Sequence, residues 1–376
     1  MRIALWLTAV LGYVVQIKCI SHIYSTSVQG TLDVLYFLFA HCSSWILVAP
    51  LTQVYYYVRY GKTNRREIWN MGFWVAIQDY NIGSDAEAQM QGASKVGRQV
   101  KRALQFAILA GLISIAGYTF LMSLNLSPAL DIAIIHNTSM FEIVSLLLVV
   151  TGLASRRHLL QNFLMMVVIL IGILIVSYTK ATCDVLSGKL SINQDTGELN
   201  DPFLFDRLKG ALICGLGALT IGPVFVLWSK WTANAKNTKE GAIRPFTASR
   251  DRNFVSNCEI SLVGVFNLMI LGTALLVCGK GGSGSQTVMY KSEWILVSIF
   301  AGHLPMVVAT VHLSRRVSPI FTSTCFIGCI VFTALADWIA ESAQSIITRW
   351  EVIGYLMVSI TGIFLGRRYL ATARFK

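Results

Sequence analysis

Charge is what this chain has least of. Asp, Glu, Lys and Arg make up only 13% of its 376 residues, about half the share of an ordinary soluble domain. A chain of this length with so few charges cannot cover itself with water-compatible side chains, so a soluble globule is excluded. Its 8 cysteines include no C-x-x-C pair, which removes the zinc-ribbon and thioredoxin-like readings. No H-E-x-x-H helix, phosphate-cradling glycine loop or dinucleotide fingerprint occurs either, so no metal and no cofactor is expected. Acidic residues are scarcer than basic ones, 19 against 31.

What is present is apolar sequence. Hydrophobic residues reach 55%, and they gather into runs of about 20 residues, the length that spans a bilayer as a helix. Ten runs are read: 3–22, 34–58, 103–124, 128–150, 159–179, 208–229, 254–278, 293–312, 318–340 and 351–366. Three longer connections, 59–102, 180–207 and 230–253, separate them. The fold class is therefore an all-α membrane protein whose partner is the lipid bilayer.

A net charge of +12 suggests nucleic acid until its distribution is followed. With ten spans, roughly three-quarters of the Lys and Arg residues fall on one face, including the basic run "KVGRQVKR" before the third span. The positive-inside rule makes that face cytosolic and puts both termini there. Nucleic acid drops out as a partner. The opening "MRIALWLTAVLGYVV" has a signal-peptide flavour but is followed by no small-x-small cleavage pattern, so the first span is expected to stay. Cys183 and Cys278 fall on the same non-cytosolic face, where a disulfide is chemically open to them.

Two parts of the chain resemble each other. "LSPALDIAII" and "VSPIFTSTCF" both open a span with Ser-Pro, at Ser127 and Ser318, and "LIGILIVSY" at Gly172 pairs with "ITGIFLGRRY" at Gly362. The two offsets agree within one residue. Spans four and five then correspond to nine and ten, which divides the chain into halves of five spans, 1–180 and 208–376, around an outer loop at 181–207. Five is odd, so the halves face opposite ways.

With the short third connection "NLSPA" and the entry "SRDRNFVSNCEISLVGVFNLMILG" into the seventh span, this pattern resembles the drug/metabolite transporter superfamily, nearest its nucleotide-sugar-transporter-like and fungal vacuolar membrane branch. The Gly-Glu pair that closes the fourth and ninth spans in many bacterial relatives is absent after span four, where the chain reads "GLASRRH". The resemblance implies a solute cavity between the halves, lined by spans one to four and six to nine, with five and ten peripheral. It also implies a vacuolar or Golgi membrane, alternating access and a small polar or anionic metabolite as substrate; homodimerisation is open.

The candidate site is read from polar residues inside the spans. A central acidic or basic side chain costs roughly 2.5–3.5 kcal/mol on the insertion scale, so those that persist have a purpose. On an ideal helix Asp131, Ile135, Thr138, Glu142 and Ser145 fall within about 40° of one another. This polar stripe is expected to face the cavity, with Glu142 gating solute or proton. His136 points roughly 140° away and is expected to pack against a neighbouring helix. His303 sits at the centre of the eighth span beside Pro305, a place for a kink and a polar pocket. Lys18 is read as an anion partner or a snorkelling residue, and Asn267 as a deep polar group. The alternatives to a transporter are a non-transporting membrane receptor or scaffold with the same fold, or a polytopic enzyme. The one enzyme-like string, "GGSG" at 281–284, sits where a flexible outer linker is the simpler reading.

Overall fold

A computed structural model describes residues 2–25, 31–58, 95–152, 159–186, 191–192, 199–200, 204–233, 245–278, 292–340 and 349–374. The connection 59–94, the segment 234–244 and the Gly-rich 281–284 lie outside the described residues. The described residues form α1 (Arg2–Ser25), α2 (31–58), α3 (Lys95–Leu126), α4 (Ala129–Val150), α5 (Leu159–Leu186), α6 (Leu204–Ala233), α7 (Pro245–Cys278), α8 (Ser292–Arg316), α9 (Pro319–Ala340) and α10 (Arg349–Arg374). Eight of these are long and apolar enough to cross a membrane, α5 contributing a shorter apolar stretch, Leu160–Val176. The chain is a multi-pass membrane protein.

Helices run past the apolar windows that reveal them. The basic run before the third span is the first turns of α3, and α7 begins at Pro245 inside what was expected to be a connection. Within the expected loop 180–207, Ser191–Ile192 and Leu199–Asn200 pair antiparallel.

Both Ser-Pro signals start helices, by different means. Ser318 caps α9, its side chain accepting from the Phe321 amide at 3.1 Å with Pro319 in the first turn, the arrangement proline and serine favour. At α4 the N-cap is Pro128 itself, with no side-chain cap, and the whole turn from α3 is Ser127–Pro128.

The helices approach closely at glycines. A Cβ at Gly12 of α1 would lie 2.7 Å from the Gly302 carbonyl of α8, and one at Gly354 of α10 would lie 2.6 Å from the Gly172 carbonyl of α5. Gly264 of α7 rests on the backbone of Trp45 and Ile46 in α2. Lipid offers no hydrophobic drive for helix association, so contacts of this kind hold the bundle. Further packing joins α6 to α3 and α4, α1 to α8 and α9, α2 to α7, α4 to α9 and α5 to α10. Outside, α5 and α10 present Leu160, Leu164, Leu174, Val352, Leu356 and Ile360 to the surroundings, the apolar exterior a bilayer requires.

Candidate functional site: a neutral cavity and an outward acidic line

A cavity of about 240 Å³ lies in the middle of the bundle, lined by residues of α1, α2, α3, α4, α6, α8 and α9. Among the described residues α7 contributes nothing to it, because α7 packs behind α2: the Ala49 amide donates to Ser261 at 2.9 Å and Ser261 to the Trp45 carbonyl at 3.1 Å. The walls are chiefly apolar, with Leu38, Ile113, Phe120, Met140, Val224 and Phe326 among them.

The polar part of the wall is built where two helices depart from α geometry. Pro305 cannot donate to the carbonyl four residues earlier and its ring crowds that turn; immediately before it, Ser298–His303 form a π turn, a local widening that often accompanies functional positions. In α2, Ser44–Leu47 form a 3-10 turn before Pro50. The two irregular turns meet. Trp45 Nε1 donates to His303 Nε2 at 2.7 Å, His303 Nδ1 lies 3.3 Å from Gln16 Oε1, and His41 Nε2 lies 2.9 Å from Ser298 Oγ. Indole only donates, so His303 Nε2 accepts and its proton resides on Nδ1, directed at Gln16. His41 is fixed likewise, Nδ1 donating to the Phe37 carbonyl at 2.8 Å.

Three wall groups are left over. The Tyr13 hydroxyl lies beside Asn137, yet among the described residues neither it, nor Asn137 Oδ1, nor His136 Nδ1 completes a hydrogen bond. His136 is buried and packs on Phe120 with ring centroids 4.7 Å apart.

Ion pairs lie at opposite ends of the bundle. Lys18 pairs with Asp337 between α1 and α9. Arg315 pairs with Glu259 and donates to Ser256, joining α8 to α7, and beside it His312 Nε2 lies 2.9 Å from Asn257 Oδ1. Because α1 and α8 run antiparallel, as Gly12 against Gly302 and His22 against Trp294 require, the two pairs bracket the cavity.

Of the residues expected in the cavity, His303 is in its wall. Asn267 is wholly buried and accepts from Ser114 at 3.0 Å, tying α7 to α3. Lys18 is an ion-pair member rather than a free anion partner. Thr138 is buried, its hydroxyl without a partner among the described residues, and it lies outside the cavity lining. Asp131, Ile135 and Glu142 do share a face, and it looks the other way. Along that face Asp131, Ile135, Ser139 and Glu142 are partly exposed, continuing to Leu146 and Val150, which are 53% and 72% exposed; Ile143 and Leu147, also partly exposed, lie beside Gly222 of α6. Cys278 is an exposed free thiol; the Cys183 side chain lies outside the described residues.

Comparison with known proteins gives one answer. The profile of the family described as ceramide synthase regulator, CSG2, matches residues 1–369. The chain is 36% identical over 403 aligned positions to the Saccharomyces cerevisiae protein named mannosyl phosphorylinositol ceramide synthase regulatory protein CSG2, with 96% of each covered. These findings overturn the resemblance to drug/metabolite transporters and, with it, the solute-transport function and the small-metabolite partner. The physical reason is that the residues carrying the resemblance do packing work. Ser-Pro starts helices and the paired glycines let helices touch, in any bundle of this kind.

Proposed function

The chain belongs to the ceramide synthase regulator family, and on that premise we propose that it is a non-catalytic membrane subunit that associates with a synthase of mannosyl phosphorylinositol ceramide and sets its activity. The observation that carries this is the likeness to a regulator of that synthase over nearly the full length of both chains. The charged groups near the bundle ends support it: Lys18, Asp337, Glu259 and Arg315 neutralise one another, as structural charges in membranes do. The test is expression in cells that lack the yeast relative. Restored mannosylation of inositol phosphorylceramide, together with co-purification of the synthase in mild detergent, is the expected result. Mannosyl transfer by the purified chain alone, or a synthase that never co-purifies, overturns the reading.

The architecture we propose for that subunit is ten spans in two inverted five-helix halves, 1–180 and 208–376 around the loop 181–207, in an endomembrane with both termini cytosolic. The helix pairings support it, since they survive exchange of the halves: α3 with α6 becomes α8 with α1, α4 with α6 becomes α9 with α1, and α2–α7, α4–α9 and α5–α10 map onto themselves. The basic-residue bias supports the orientation.

A further inference from the structure

We infer that the outward line of α4 centred on Glu142 is the surface on which the synthase seats a membrane helix bearing a positively charged side chain at the same depth. This rests on the regulatory reading above and says where the partner binds.

Glu142 is the observation that calls for an occupant. Its carboxylate forms no hydrogen bond or ion pair among the described residues, in contrast to Glu259 and Asp337. It does not line the cavity, so the polar groups of that wall are not its partners. It is partly exposed, on the same face as Leu146 one turn on. An acidic group left against hydrocarbon is costly, and a partner that pairs with it removes the cost.

The surroundings decide between occupants. Lipid headgroup amines are remote, since eight residues of helix, about 12 Å, separate Glu142 from the end of α4. A second copy of this chain is disfavoured, because a two-fold contact along this line opposes Glu142 to its own counterpart and like charges at short range repel. A basic side chain on a different helix is complementary. The line has the shape for such a helix: Asp131 to Val150 spans about 28 Å, close to the thickness of the bilayer core. Glu142 and Ser139 give polar contacts near its middle, and Leu146 and Val150 give apolar contact beyond.

The experiment uses the full chain in cells containing the synthase, with a photo-crosslinking residue placed singly at Ser139, Leu146 or Leu174, the last an exposed position on α5. Crosslinks to the synthase are expected from Ser139 and Leu146 and not from Leu174. In Glu142→Gln, co-purified synthase should fall roughly tenfold, the scale of one interhelical polar contact, with the unfolding temperature of the purified protein unchanged; Glu142→Lys should abolish it. The inference is overturned if the wild-type protein retains the synthase but crosslinks it only from Leu174, if Glu142→Gln retains it at the wild-type level, or if the crosslinks from Leu146 join two copies of this chain. In those cases the regulatory reading stands. Failure of the wild-type protein to hold the synthase at all removes both.

Discussion

Arg315 and Glu259 show how unevenly a buried ion pair responds to its two partners. Paired, they cost little; separated, the survivor is a charge held away from water. Glu259 is 6% exposed and Arg315 is its only ion-pair partner among the described residues. Arg315→Ala should therefore lower stability by about 3–5 kcal/mol, and Arg315→Met combined with Glu259→Leu should recover most of that, both read as unfolding in detergent. Equal loss in the single and double variants would show that the pair is not what holds α7 to α8. Trp45→Phe is a milder case. It keeps the ring but removes the donor to His303, leaving an acceptor unsatisfied at the cavity wall at a cost of about 1–3 kcal/mol.

Among the elements, the crossing of α1 and α8 is a backbone-on-backbone constraint from both sides: a Cβ at Gly12 meets the Gly302 carbonyl and one at Gly302 meets the Gln16 backbone. Gly12→Ala puts a methyl against the Gly302 carbonyl, and backbone cannot step aside, so about 1–3 kcal/mol of overpacking follows. Gly111→Ala is the matched control: nothing lies within 4 Å of a Cβ there, and removing a helix-interior glycine should be neutral or slightly stabilising. The sequence disclosed part of this. Run length found the helices, and helical periodicity placed Asp131, Ile135 and Glu142 on one face. It did not say which way that face looks, because in a membrane the interior and the exterior are both apolar, and a polar stripe carries no direction. His41, Trp45, Gln16 and Tyr13 escaped notice for a related reason: being uncharged, they cost too little to stand out from apolar sequence. Gly12 and Gly302 are isolated glycines in the sequence, and only the fold brings them together.

At the scale of the whole molecule, topology is the open quantity that labelling can read. Single cysteines by Thr63→Cys and Gly188→Cys should react with an impermeant reagent from opposite sides of the membrane, the first from the cytosol; labelling of both from one side rules out the ten-span arrangement. The fold also imposes a schedule on its own synthesis. Gln16 finds His303 across a separation of 287 residues, which at roughly 5–20 residues per second takes about 15–60 s to make. For that interval the first helix sits in the bilayer with Gln16 and Lys18 lacking the partners the finished protein gives them, a state that membrane chaperones and proteases recognise by its polar groups. Assembly is thus held open at its first element until nearly its last, and unfinished chains are expected to be recognised through these two groups. In a chain stopped after Cys278, pulse-chase should show rapid turnover that Gln16→Leu with Lys18→Leu slows several-fold; unchanged half-lives would place the degradation signal elsewhere.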